Sequence, residues 1–225
     1  KKKKKTIIIE AQRIFRLNKH GMDFVVLEVI RALQKLDTFN RYIIAVGPGE
    51  DHCLQGSTNF EIEVLESSNY FIWEQILLPK LVKNSNADLL HCTSNTAPLR
   101  LSIPLVLTLH DIIFMEKKIG RNSSMYQNLG RLYRRWVVPR VLKSVHTVIT
   151  VSKVEQKNIE AVFPNLQNNI TTVYNGVSPK FRPMDIKQTC QFSKLEKGTF
   201  WLLLGNTDPK KNLRNTLMAY ALYLE

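Results

Sequence analysis

The sequence predicts an α/β protein built on a doubly wound parallel sheet, followed by the start of a second domain. Three observations lead there. Short apolar runs rich in β-branched residues alternate with longer stretches of helical periodicity. Several of these runs end directly in polar or glycine-bearing turns. With 44% hydrophobic and 23% charged residues among 225, the chain can bury a real core and is not disordered by composition.

Taken in order, Thr6-Ile-Ile-Ile reads as a buried strand, and Met22 to Leu36 as a helix with Phe24, Leu27, Ile30 and Leu33 facing inward. Tyr42 to Val46 is the next strand, closed by Gly47-Pro48-Gly49. Phe60 to Leu65 alternates apolar and acidic residues, the mark of a strand with one wet face. Phe71 to Val82 reads as helix despite Pro79, and Asp88 to Cys92 as a short strand. Leu105 to Leu109 is a strand that runs into His110-Asp111. Val145 to Val151 is another; Ser152-Lys153-Val154-Glu155 after it is a capping-box pattern, so a helix should start at Ser152. Ile170 to Tyr174 is the last strand of the first domain, residues 1–177. The Pro-bearing stretch 178–198 reads as a linker. In 199–225, Thr199 to Leu204 reads as a strand, Gly205 to Asn212 as a turn, and the remainder as helix. One strand and one helix cannot bury a core of their own, so a second domain cut short is expected.

Charge is concentrated. Of the formal net +13, Lys1 to Lys5 carry +5 and the acid-free segment Lys117 to Lys143 carries +8, which leaves the rest neutral on balance. The tail reads as a disordered start or a cloning remnant. In the central segment Met125, Leu129, Leu132, Trp136 and Val137 recur at helical spacing, and Pro139 should bend or end that helix. Two readings stay open there: a surface helix with its apolar stripe on the core, or attachment to an anionic membrane surface. Nucleic acid ranks below both, because no recognition module is present.

Other classes are disfavoured. Three scattered cysteines without a C-x-x-C pair make a disulfide framework or a structural zinc site a poor reading and favour a reducing, cytoplasmic compartment. No apolar run approaches the ~18 residues of a membrane span. Neither G-x-G-x-x-G nor G-x-x-x-x-G-K-[ST] occurs, so a dehydrogenase or P-loop enzyme has no support, and H-E-x-x-H is absent too. Sequons at Asn122 and Asn169 mean little without secretion.

In a doubly wound sheet, ligands collect at the carboxyl ends of the strands. The residues placed there are Asn18 to Asp23, His110-Asp111, Ser152 and Asn175-Gly176. Gly21 would let backbone N–H groups approach a ligand phosphate at a helix start, although many such turns simply need a glycine. His20 stands beside it and can face the same cleft. For His110-Asp111 a sugar-binding pair and a capping aspartate with a half-buried histidine are equally open. His91 reads as a satisfied core or edge residue. The turn Gly205-Asn206-Thr207-Asp208-Pro209-Lys210-Lys211-Asn212 offers cations and a helix start to a diphosphate, and Asp208 and Pro209 equally suit a plain N-cap.

Together these segments resemble glycosyltransferase family 4, the retaining enzymes of the GT-B fold. The stretches that carry the likeness are Lys19-His20-Gly21-Met22-Asp23, Ile103 to Phe114 with its Leu109-His110-Asp111, Thr150-Val151-Ser152, Val173-Tyr174-Asn175-Gly176-Val177 and Leu204 to Asn212. The flavour is that of bacterial cell-surface polysaccharide mannosyltransferases. The resemblance implies two Rossmann-like domains across a cleft, the first gripping a glycan or lipid-linked acceptor and the second a nucleotide-sugar, with GDP-mannose as the donor the flavour suggests. It implies that Gly21 approaches the donor phosphates, that Gly205, Asn206, Lys210 and Lys211 hold the donor diphosphate, and that His110 bonds the transferred sugar. Asp111, His20 and Ser152 would line the acceptor side. No metal and no other cofactor is implied, since basic side chains and a helix terminus neutralise the leaving group. Retention would follow from attack on the face the diphosphate leaves, with its phosphate taking the proton.

Two departures qualify the likeness. Asn206 stands where many relatives have arginine, with Lys210 as the substitute charge, and the downstream glutamate pair E-x7-E has no counterpart before Glu225. The chain is therefore expected to hold the acceptor half and a stub of the donor half, with negligible transfer alone. A nucleotide-sugar epimerase of the same architecture and a non-catalytic docking module are the rival expectations. If the basic segment attaches, the location is peripheral to the inner face of the membrane.

Overall fold

The computed structural model describes residues 3–116, 125–178, 181–183, 200–203, 205 and 212–224. Among these the chain divides into two compact units, Lys1–Gly176 and Val177–Glu225.

The first unit is a seven-stranded, all-parallel sheet in the order β3-β2-β1-β4-β5-β6-β7. Its strands are β1 (Thr6–Glu10), β2 (Arg41–Val46), β3 (Phe60–Val64), β4 (Leu89–Cys92), β5 (Leu105–Thr108), β6 (Thr147–Thr150) and β7 (Ile170–Thr172). The helices are α1 (Gly21–Leu36), α2 (Tyr70–Ile72), α3 (Leu78–Asn84), α4 (Met125–Val141) and α5 (Lys153–Val162). A π-helical stretch, Trp73–Leu77, joins α2 to α3 without a break. The sheet is the Rossmann-like, doubly wound one expected of a GT-B amino-terminal domain. β1 is an interior strand, with Ile7, Ile8 and Ile9 paired to β2 on one side and β4 on the other.

Alternation along the strands sorts side chains into two cores. Ile8, Ile43 and Ala45 pack with Trp73, Leu78, Val137, Val141 and Ile159. Ile9, Tyr42, Ile44 and Val46 pack with Val26, Leu27 and Ile30 of α1 and with Ile14 and Phe15 of the loop after β1. Sheet order reverses between β1 and β4, so the crevice of this fold opens at the carboxyl ends of those two strands.

Two expectations about faces and elements are corrected. Phe24 is 53% exposed, because the inward stripe of α1 is Asp23, Val26, Leu27 and Ile30, and Phe24 stands about 100° round the helix from Asp23. On α4 the buried residues are Val137, Val138 and Val141, whereas Leu129, Leu132 and Trp136 are exposed; Met125's side chain lies outside what is described. Pro139 sits in the last turn, where the helix ends at Val141.

The second unit contains α6 (Leu213–Leu224), with Trp201 set against the rings of Tyr220 and Tyr223 at 6.2 and 5.3 Å. The second correction falls here: Phe200 to Leu203 is not in a strand, and no described segment pairs with it to complete its hydrogen bonds. Most of the expected linker, and Asn206 to Lys211, lie outside the described residues.

The β1 and β2 loops cross closely. Gly47 N–H donates to the Gln12 carbonyl at 3.0 Å and Asp51 N–H to the Phe15 carbonyl at 3.0 Å. A Cβ on Gly49 would stand 2.2 Å from the Phe15 carbonyl oxygen, so only glycine fits there without moving the loop. Gly49→Ala should therefore lower unfolding free energy by about 1–3 kcal/mol, read from the denaturant midpoint; an unchanged midpoint would show that the crossing carries no constraint.

Candidate functional site

The carboxyl edge is held by a clasp between β1 and β4. Glu10 closes β1 and is 2% exposed. Its carboxyl accepts from the Thr93 N–H at 3.1 Å and the Gln12 N–H at 3.0 Å. The Thr93 hydroxyl lies 2.7 Å from the Glu10 carbonyl oxygen and 3.1 Å from its Oε2. Burying a carboxyl group costs heavily unless its oxygens are satisfied, which these bonds accomplish.

The clasp positions His110. Asn95 adopts a left-handed φ of 67°, and its Oδ1 accepts from the His110 backbone N–H at 2.7 Å. The His110 ring nitrogen Nε2 is 3.0 Å from the Thr93 carbonyl. A carbonyl only accepts, so Nε2 carries the proton, and in the neutral ring Nδ1 is left as an acceptor. Burial lowers the His110 pKa, against smaller opposing effects of the Thr93 carbonyl and the Asp111 and Glu10 charges. A neutral, half-buried imidazole with an acceptor nitrogen is suited to take a hydrogen bond from a hydroxyl.

Behind it, His91 Nε2 lies 2.8 Å from the Thr108 hydroxyl. Burial first, and the His110 charge second, push its pKa down to about 4. Asp111 Oδ1 accepts from the Ile113 N–H at 3.1 Å and so caps the short 3-10 turn Ile113–Met115. Ser152 caps α5, its hydroxyl accepting from the Glu155 N–H at 3.1 Å. The Glu155 carboxylate reaches the Ile112 N–H at 3.1 Å, which ties the start of α5 to the turn after His110.

The loop before α1 reaches the same edge of the sheet. His20 is exposed, and its N–H donates to Asp23 Oδ2 at 2.8 Å. No atom lies within 4 Å of where a Gly21 Cβ would stand, and Gly21 is not left-handed, so neither packing nor turn geometry demands glycine there. Lys19 is tied to Asp51 and to the Arg16 carbonyl.

Of the expected site residues, the hydrogen bonds bring together His110, Asp111 and Ser152, through Ile112 and Glu155. No described contact links His20 or Gly21 to His110, although both loops leave the carboxyl edge. Gly205 is described within the second unit, where Leu203 and Leu213 flank it. Asn206, Lys210 and Lys211 lie outside the described residues. Among the described residues no group of three or more His, Cys, Asp or Glu is arranged to hold a metal, and no helix is long and apolar enough to cross a membrane. A recess of about 630 Å³ lined by Pro79, Lys83, Arg100, Ile103 and Ser144 lies at the opposite, amino edge.

Sequence reading missed a polar cluster beside this edge. Glu74, on the π-helical stretch and 1% exposed, accepts from Tyr70 OH at 2.8 Å, Gln75 Nε2 at 2.8 Å, the Thr96 hydroxyl and Tyr133 OH. Burial raises its pKa against these donors. The one signal was a lone acid inside the apolar run Phe71 to Val82. Arg13 lies over the Tyr70 ring at 5.6 Å.

A parallel doubly wound sheet with its polar side chains gathered where strand order reverses is the architecture of a nucleotide-fold domain that binds ligands along one edge. Residues 20–181 match Glycosyltransferase Family 4, and the chain belongs to that family. Among solved structures, the crystal structure of Anabaena Alr3699/HepE in complex with UDP-glucose is similar, with a TM-score of 0.49 and 17% identity over 83% of this chain and 49% of that one. The chain thus spans about half the length of that protein. No curated protein matches.

The histidines make stability depend on pH. His91 has a folded pKa of about 4 against an ordinary 6.5, so between those values the unfolded chain binds more protons. Stability present above pH 6.5 should fall as pH drops towards 4. His91→Gln, which keeps a partner for Thr108, should flatten part of that fall in denaturant titrations run at pH 7, 5.5 and 4; an equally steep fall would contradict a buried neutral His91.

Proposed function

We propose that the chain is the acceptor-side domain, with part of the donor side, of a retaining glycosyltransferase that moves a sugar from a nucleotide-sugar to a glycan or lipid-linked acceptor. The observation that carries this reading is that a family 4 domain holds a neutral His110 at its switch-point edge, with Nδ1 unbonded by any described residue. In this reading a hydroxyl of the transferred sugar donates to His110 Nδ1, and Asp111, His20 and Ser152 line the acceptor side. The exposed backbone at Gly21 approaches the donor phosphates. Gly205, Asn206, Lys210 and Lys211 neutralise the departing diphosphate, so no metal is required. The acceptor hydroxyl attacks the anomeric carbon on the face the diphosphate leaves, and the phosphate receives the proton. Mannose from GDP-mannose, for cell-surface polysaccharide, is the specific donor and purpose we assign.

A peripheral site on the cytoplasmic face of the membrane accompanies this reading. It is favoured by the exposed apolar stripe of α4, Leu129, Leu132 and Trp136, on a segment that carries +8 without an acid. Arg140 stacks over Trp136 at 4.9 Å on the same helix. Apolar side chains flanked by arginines suit an anionic interface.

In the full-length enzyme His110→Ala should cut kcat by about tenfold or more, the effect of losing over 1.4 kcal/mol in the transition state, with little change in nucleotide affinity. An unchanged kcat would remove His110 from the reaction. Sedimentation with phosphatidylglycerol vesicles should pull down the chain, less so with added salt and with Trp136→Ala; equal behaviour with phosphatidylcholine vesicles would remove the membrane assignment.

A further inference from the structure

Among the described residues, two arginines at the carboxyl edge have no counter-charge in contact. The side chain of Arg13, in the loop after β1, makes no hydrogen bond or ion pair with any described residue; its buried Nε lacks a partner, and its guanidinium lies over the face of the Tyr70 ring at 5.6 Å. Arg134, on α4, is half-buried, with its guanidinium folded back over Gly130, and it too forms no ion pair or hydrogen bond with a described residue. The Tyr70 ring under Arg13 is 5.8 Å from the ring of Tyr133, the residue before Arg134, which brings the two arginines into one neighbourhood; burial lowers the Arg134 pKa, and the charge of Arg13 lowers it further. Asp111 acts on Arg134 from a distance without reaching it. By contrast Arg131, one turn away, is bonded to the Phe114 and Glu116 carbonyls. The segment 117–124 contains no acid.

Two adjacent, partly desolvated guanidinium groups cost free energy in the absence of an anion. The forked donors of arginine match the oxygens of a phosphate or carboxylate. Their neighbours narrow the ligand further. The Asp111 charge acts on Arg134, and Tyr70, with its hydroxyl on Glu74 and Thr96, lies under Arg13. Tyr70 and Arg134 belong to α2 and α4.

We propose that Arg13 and Arg134 bind an anionic group of the acceptor, so that the accepting molecule carries a phosphate or carboxylate rather than being a neutral glycan. This rests on the transferase reading for the word acceptor; the anion site stands on the arginines alone.

The test is binding of glucose 1-phosphate, glucuronate and glucose to the chain, followed by calorimetry and by amide shifts around residues 12–15 and 131–137. Glucose 1-phosphate should bind, glucuronate should bind if a carboxylate suffices, and glucose should bind at least tenfold more weakly. Arg13→Gln and Arg134→Gln should each weaken glucose 1-phosphate about tenfold, the loss of one charge-assisted contact worth about 1.4 kcal/mol. The lysine variants, which keep the charge and lose the fork, should fall between, and exposed Lys157→Gln should change nothing. Equal affinity for glucose, or unchanged affinity in both arginine variants, would overturn the site. Displacement of glucose 1-phosphate by GDP or UDP would overturn the acceptor assignment and give the arginines to the donor diphosphate. Failure of the full-length protein to turn over any nucleotide-sugar, with arginine-dependent anion binding intact, would sink the transferase reading and leave the anion site standing.

Discussion

Everything at the carboxyl edge depends on how Glu10 is buried. A carboxyl group at the end of the interior strand β1, 2% exposed, is tolerable only because Thr93 and Gln12 turn their donors onto it. That requirement fixes the backbone after β4. The Thr93 carbonyl is then aimed at His110 Nε2, and Asn95 is held in a left-handed turn whose side chain grips the His110 N–H. The histidine is therefore oriented from two sides by residues of the loop after β4, and its tautomer follows from the clasp.

The second anchor is Glu74. Its four donors come from α2, the loop after β4, the π-helical stretch and α4, so one buried side chain ties together the elements that flank the crevice. A π turn widens the helix locally and is often kept at functional sites; here it carries the acid that organises Tyr70 and Tyr133. Arg13 rests on one of those rings. Positioned this way, the apolar cores need only supply rigidity, while the edge carries the chemistry.

Much of this is legible in the sequence, and the rest is not for definable reasons. The parallel sheet is announced by runs such as Ile7-Ile8-Ile9 and Leu105 to Leu109, since buried parallel strands are apolar on both faces. That His110, Asp111 and Ser152 stand at strand ends follows from the same pattern. Periodicity does not say which apolar residues face in: on α4 it marked Leu129, Leu132, Trp136 and Val137 alike, and of these only Val137 is buried, with Val138 and Val141. The Glu74 cluster is hard to read from sequence because two of its four partners, Thr96 and Tyr133, are 22 and 59 residues distant. Arg13 and Arg134 gave no signal for the same reason, and Phe200 to Leu203 shows that a β-like composition makes no strand without a neighbour to pair with.

The central claim is that the clasp presents a neutral His110 with its proton on Nε2 and Nδ1 free to accept. Imidazole nitrogen-15 chemical shifts of His110 followed from pH 8 to 5 test this directly. The account predicts the Nε2–H tautomer and a titration midpoint below 6.5, both disturbed when Glu10 is replaced by alanine. A ring protonated on Nδ1, or one that becomes cationic above pH 6.5, would contradict it.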